Sequence, residues 1–199
     1  MIKRVIAVLG LMSMGINVQA AGVDASLSDE SAYFNFLFDS SRVVQGGADI
    51  SLGFFYNDRE VRGQEFDAYM GTGEFLVTGN MKGSQKRITV GAGAKAYLGT
   101  VDDVSDTDIS AAAVGGKIAY IIPNETTPMS IYLKGFIAPG ITSFGDTDSM
   151  HEWTLGFDAE LAPSARGYIG YREIETEFEQ YAGEAELDDN LHVGIAISF

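Results

Sequence analysis

Over most of its length the chain alternates apolar and polar residues with a period of two, and it does so in long segments. That period suits a strand with one oily face. It excludes an amphipathic helix, whose apolar positions recur every three or four residues. The first clear segment places Ala48, Ile50, Leu52, Phe54 and Tyr56 on one face and Asp49, Ser51, Gly53 and Asn57 on the other. Segment 88–99 sets Ile88, Val90, Ala92, Ala94, Ala96 and Leu98 against Thr89, Gly91, Gly93, Lys95, Tyr97 and Gly99. The last segment sets Leu191, Val193, Ile195, Ile197 and Phe199 against His192, Gly194, Ala196 and Ser198. Starts at 46, 66, 88, 109, 129, 150, 166 and 189 predict eight strands. Each is about 10–14 residues long, more than the five or six usual in soluble sheets and close to a tilted bilayer crossing.

The connectors alternate between short and long. Residues 80–86, 123–128 and 163–166 read as compact turns, and 57–65, 99–108 and 179–189 as longer loops, with 143–149 a shorter member of that set. Outer-membrane barrels show this asymmetry. Pro123, Pro128 and Pro163 sit at turns, where a missing N–H costs no ladder bond, while Pro139 falls inside a strand pattern and implies a bulge or the strand's upper rim. The predicted fold class is therefore an all-β, antiparallel, up-and-down transmembrane β-barrel of about eight strands over 46–199. An N-terminal segment, 21–45, remains outside it. Phe34, Phe36 and Phe38 also alternate, so 31–38 is either a further strand, which would make the count odd, or a segment lying against the lumen. Residues 22–30 before it are polar and are expected to be mobile.

The first twenty residues have the form of an export signal. Lys3 and Arg4 precede an apolar stretch from Val5 to Ile16, and Val18-Gln19-Ala20 offers small residues for cleavage after Ala20. The stretch is too short to span a bilayer as a helix. Export of a membrane barrel implies the bacterial outer membrane. The formal net charge is −15, and loss of Lys3 and Arg4 would take it to −17. Nucleic acid is excluded as a partner, because no Lys/Arg cluster exists to neutralise phosphates. With no cysteine, there are no disulfides, thiol nucleophiles or thiolate metal sites.

The polar parity carries Asp49, Glu74, Lys95, Lys117, Lys134, Glu152, Asp158, Glu160 and Arg172. Eight strands leave a lumen just wide enough for side chains, so these charges must pair or be hydrated. Asp158, Glu160 and Arg172, on adjacent strands, are expected to face one another. The set reads as a salt-bridge plug or, alternatively, as a narrow path or a binding site for a small or lipidic molecule. The windows 57–65, 100–108, 143–149 and 173–189 hold 17 of the 28 acidic residues. Asp102, Asp103, Asp106 and Asp108 could hold a divalent cation bridging to lipopolysaccharide phosphates, although their spacing lacks the glycine and glutamate of an EF-hand. Otherwise they form a solvated acidic loop.

No catalytic residues and no cofactor are expected. His151 has Ser149 and Glu152 close by in sequence, but adjacent strand residues point to opposite faces, so a Ser-His-acid set is disfavoured. Val90-Gly91-Ala92-Gly93-Ala94-Lys95 imitates the start of a dinucleotide fingerprint, yet the strand period continues through it and no helix opens. A lipid-modifying barrel enzyme is the remaining catalytic alternative.

Several segments resemble one family. Ala111-Ala112-Ala113-Val114-Gly115-Gly116-Lys117, Gly167-Tyr168-Ile169-Gly170-Tyr171-Arg172 and the closing Val193-Gly194-Ile195-Ala196-Ile197-Ser198-Phe199 look like the YfaZ family of Gram-negative outer-membrane proteins. The resemblance implies an outer-membrane barrel and carries no catalytic or binding residues with it. The acidic stretch 173–189 departs from what it leads one to expect. Phe199, ending an alternating strand, resembles the terminal aromatic signal by which the barrel-assembly machinery recognises its substrates. Outer-membrane lipids and lipopolysaccharide are the other expected partners, with a structural or surface-interaction role.

Overall fold

The computed structural model describes residues 20–38, 47–61, 64–84, 86–102, 107–124, 127–178 and 184–199, with side chains described over these except at 20, 59–66 and 184. Of the expected signal segment 1–20, residues 1–19 lie outside the described residues, as do Asp103 and Asp106. Ten strands form: β1 (Ala20–Leu27), β2 (Ser31–Phe38), β3 (Ala48–Val61), β4 (Gln64–Asn80), β5 (Ile88–Asp102), β6 (Thr107–Ile122), β7 (Met129–Ala138), β8 (Thr147–Ala162), β9 (Ala165–Phe178) and β10 (Glu184–Ser198). Each pairs antiparallel with its chain neighbours, and β1 pairs with β10 to close the barrel. Closure removes the sheet edges that an open meander would expose.

The count is ten rather than eight, and the two added strands are one hairpin. Residues 31–38 do form a strand, and the segment before it, expected to be mobile, is β1. In β1, Val23 pairs with both Phe36 and Ile197, and Ala25 with Phe34 and Ile195. Adding the pair keeps the number even, so the parity difficulty posed by a lone extra strand does not arise. β1 was hard to see because its outward residues, Val23, Ala25 and Leu27, are small or few. Ser28 closes the hairpin: its hydroxyl accepts from the Ser31 N–H at 2.8 Å and from the Glu30 N–H at 3.2 Å.

The long loops also shorten. β3 and β4 run to Val61 and from Gln64, β5 and β6 to Asp102 and from Thr107, and β9 and β10 to Phe178 and from Glu184. Much of what reads as loop in 57–65, 99–108 and 179–189 is strand, so five strands reach 15–17 residues, against the roughly 9–11 a bilayer crossing needs. Pro139 lies just past the end of β7 and precedes a 3-10 turn at Gly140–Thr142, which confirms its position at the rim.

The outward face is apolar and open. Phe36, Phe54, Val114, Leu133, Leu155, Ile169, Leu191 and Val193 are all exposed there. On β3, β4, β8 and β9 this belt ends toward the loop end in an abrupt change. Tyr56 is followed outward by Asp58, Tyr69 is preceded by Asp67, Trp153 by His151, and Tyr171 is followed by Glu173. The Tyr56 and Tyr69 rings lie 5.0 Å apart on that boundary. On β4 the belt runs from Tyr69 to Val77; at about 3.3 Å per residue and a tilt near 40°, it stands roughly 20 Å tall.

The inward face divides along the barrel axis. A buried apolar cluster includes Phe55, Met70, Tyr97, Ile109, Phe136, Met150 and Ile174. Apart from Leu76, its members lie in the loop-side half of their strands. The other half of the lumen is polar.

The register of β1 against β10 predicts a covalent test. Paired antiparallel residues hold their Cα atoms about 4.5–5.5 Å apart, within disulfide reach. The double variant Val23→Cys/Ile197→Cys, in a chain with no other cysteine, should crosslink on oxidation and change the mobility of the denatured chain in non-reducing gels. A barrel closed by β3 against β10 would leave both thiols free.

Candidate functional site

Charged residues meet where the apolar cluster ends. Lys95 on β5 sends its Nζ across the lumen to Glu152 on β8, at 2.9 Å from Oε1 and 2.6 Å from Oε2. The Tyr97 hydroxyl donates to the same carboxylate at 2.7 Å. Lys134 on β7 donates to Glu74 on β4 at 2.9 Å, and Glu74 lies 3.9 Å from Lys95. The rings of Tyr33, Tyr97 and Phe136 lie within 5.5 Å of the Lys95 ammonium. A charge so deeply buried is tolerable only with a matched partner and its remaining protons satisfied. Carboxylates and ring faces meet both conditions here.

A cavity of about 400 Å³ adjoins this hub on the side away from the apolar cluster. It runs along the β1–β2 hairpin to the barrel end where β1 begins and β10 ends, the terminus end. Side-chain exposure rises in that direction, from 1% and 3% for Lys95 and Glu152 to 31% and 48% for the Lys117–Asp49 pair, which meets at 3.3 Å. The mouth therefore faces the terminus end. Tyr132 and Tyr168 lie along the cavity wall over Gly156 and Gly194, where any Cβ would run into their rings. Glycine at these two positions is what gives the tyrosines room.

The residues expected in the lumen are all there, with partners the sequence did not assign. Lys117 and Lys134 are direct cross-strand neighbours, and each reaches across the lumen to an acid on β3 or β4. Asp158 and Arg172 do not face one another. Arg172 stands opposite Thr154, four residues along β8 from Asp158, or about 13 Å of strand. Asp158 instead accepts from Ser130 Oγ at 2.5 Å and from Arg166 Nε at 2.8 Å, and Glu160 lies 4.0 Å from Arg166. Arg172 pairs with Asp188 at 2.5 Å, beside the Tyr33 and Phe55 rings. Asp188, fully buried, falls in a segment that reads as an acidic loop; it shares the inward parity of His192, and the register shift between Glu186 and Asp188 brings Leu187 inward as well and leaves Glu186 outside. Asp24, Asn35 and His192 also line the cavity. Asp24 sits in the segment expected to be mobile, and nothing in its sequence context marks it.

Outside, the loop end carries carboxylates on strand rather than loop. Glu175 is opposite Glu186, and Glu173 is opposite Asp189. His151 Nε2 lies 2.9 Å from Glu175 and 3.8 Å from Glu173, making these three the group of metal-ligating side chains brought together among the described residues. Of the four aspartates expected to hold a cation, Asp102 and Asp108 end β5 and begin β6, and the Asp108 N–H donates to Asp146 at 3.2 Å. The histidines are far from any triad. Ser149 donates to Glu177 at 2.9 Å rather than meeting His151, Glu152 points into the lumen, and His192 is buried on the inward face.

A family model described as "YfaZ precursor" matches residues 1–199. No curated protein sequence matches the chain significantly. Among solved structures, the anion-selective porin from Comamonas acidovorans is similar at 15% identity and a TM-score of 0.35, over 85% of this chain and 49% of that one. The chain thus spans about half that porin's length.

The hub predicts a non-additive pair of variants. Lys95→Met leaves Glu152 buried without its main partner and should destabilise the refolded barrel toward urea by about 3–5 kcal/mol. Lys95→Met/Glu152→Gln should recover most of that loss. Equal loss in the single and double variants would show that packing, not charge pairing, dominates.

Proposed function

The chain belongs to the YfaZ family, and from that premise we propose that it is a non-conducting outer-membrane barrel, closed toward the cell surface and open toward the periplasm. One observation carries the reading. The outward face is an apolar belt bounded by tyrosines and tryptophan and then by carboxylates, while the loop-side half of the lumen is packed with Phe55, Met70, Tyr97, Ile109, Phe136 and Met150. The belt suits hydrocarbon, and aromatic residues at its rim suit the headgroup level. The packed half-lumen argues against a standing water-filled path. The family's description as a precursor supports export.

The carboxylates give the surface role its chemistry. Like charges directly across a ladder repel, so Glu175 against Glu186 and Glu173 against Asp189 favour a layer of divalent cations. The lipopolysaccharide leaflet is such a layer, and the acidic end would stand in it. Catalysis is not part of this reading, because no nucleophile, base and acid converge among the described residues.

Refolded in detergent or vesicles, the protein should run faster unheated than boiled in dodecyl sulfate gels, and planar bilayers containing it should show no steady current. A fold indifferent to detergent would overturn the membrane reading, and stable conductance steps would overturn the closed lumen. Millimolar Mg²⁺ should raise the temperature at which the folded band disappears, and Glu175→Gln/Glu186→Gln should reduce that rise. An unchanged response would remove these residues from cation binding.

A further inference from the structure

One carboxylate lining the lumen cavity has no ion pair. Among the described carboxylates that face the lumen from the strands, Asp49, Glu74, Glu152, Asp158, Glu160 and Asp188 each have a Lys or Arg nitrogen within 4.0 Å. Asp24 has none. It accepts hydrogen bonds only from neutral groups, the Tyr168 hydroxyl at 2.9 Å and Asn35 Nδ2 at 3.4 Å. Two further polar atoms of the same wall are buried without a partner, Oδ1 of Asn35 and Nδ1 of His192, on side chains whose residues are 9% and 4% exposed. Both residues line the cavity with Asp24, Tyr132 and Tyr168. Buried acceptors left unpaired are costly, and sites that carry them characteristically hold a ligand or ordered water.

We infer that this cavity binds a small organic ammonium ion, with the charged nitrogen on Asp24. The inference deepens the proposed function by giving the periplasm-facing cavity a ligand class. Three features select this chemistry. The site offers one carboxylate and two neutral acceptors, which suits the several N–H donors of a primary ammonium and gives a divalent metal too few anionic ligands. Aromatic rings in the wall suit a cation, as the Lys117 ammonium 5.8 Å from the Tyr132 ring centre shows. A volume of about 400 Å³ lies in the range of small-molecule sites and exceeds what a lone inorganic ion fills. Anionic ligands are disfavoured, because every lysine and arginine lining the cavity already holds a carboxylate.

Titration calorimetry on the refolded full-length barrel in a non-ionic detergent tests the inference, with 1,4-diaminobutane as the probe and 1,4-butanediol as its uncharged analogue. Diaminobutane should bind saturably at one site and the diol should not. Loss of a charge-assisted bond is worth about tenfold or more in affinity, so Asp24→Asn should weaken binding by at least that factor. Asp148→Asn, at the opposite end, should leave it unchanged. Tyr168→Phe, which removes only the hydroxyl orienting Asp24, should weaken it several-fold and decides the question if Asp24→Asn fails to fold. Equal affinity in wild type and Asp24→Asn overturns the site, as does binding of the diol or competition by Mg²⁺ at equal concentration. Heat-modifiable protein that shows no binding refutes the ligand and leaves the barrel intact. Protein without heat-modifiable mobility refutes the barrel itself.

Discussion

The buried pairing of Lys95 with Glu152 is the constraint on which the interior is arranged. An ammonium and a carboxylate with almost no exposure to solvent cannot be separated without leaving one of them uncompensated, at a cost of several kcal/mol. The pair spans from β5 to β8 and draws in Glu74 and Lys134, so it ties together four strands that the ladder alone connects only in sequence. It also marks a boundary. On one side the rings of Phe136 and Tyr97 extend the hub into an apolar filling. On the other side the charges become progressively more exposed toward Lys117 and Asp49. A lumen filled evenly with side chains would have no such polarity.

The exterior is divided along the same axis. A belt about 20 Å tall is bounded at the loop end by Tyr56, Tyr69 and Tyr171, followed within a single outward step by Asp58, Asp67 and Glu173 respectively, and by Trp153, followed by His151. The strands then continue past it, and their hydrogen-bonded ladders hold carboxylates face to face rather than letting them disperse on a loop. Repulsion between Glu175 and Glu186 is tolerable where counter-ions are concentrated and unfavourable elsewhere. The terminus end carries Lys82, Lys86, Arg87 and Arg166 instead. Belt, acid and base therefore give the barrel one orientation.

Strand periodicity made the belt legible from sequence, since the outward face of a closed barrel takes every second residue and here that parity is apolar. The lumen charges were legible for the same reason, as exceptions on the opposite parity. Pairing was not, because a side chain crossing the lumen chooses its partner by barrel diameter and shear, which are properties of closure and not of any one segment. Lys117 finding Asp49 on β3 rather than an acid on β8 is such a case. Asp188 shares the inward parity of His192 and was missed because β10 extends into a stretch whose acidity reads as loop; Leu187 is the residue that the bulge hid, since a bulge inverts the parity that alternation relies on. β1 escaped because Val23, Ala25 and Leu27 make a faint stripe, supported in the fold by the Phe34 and Phe36 face of β2. The apolar filling of the loop-side lumen was missed as well: Phe55, Met70 and Phe136 stand on the parity that elsewhere carries charge.

The hairpin that was hardest to read is also what makes the cavity possible. Eight strands enclose a lumen that side chains just fill, and diameter grows roughly linearly with strand number, so β1 and β2 supply the width in which a cavity of about 400 Å³ persists. They supply its unusual chemistry too. Asp24 and Asn35 come from this hairpin, and the partners that orient Asp24 come from β2 and β9, while each lumen carboxylate of the remaining eight strands has a Lys or Arg within 4.0 Å, Asp158 and Glu160 sharing Arg166. Deleting the hairpin from the fold would leave a smaller, filled tube. Two short strands thus convert a packed barrel into one with a one-ended chamber that holds a carboxylate without an ion pair.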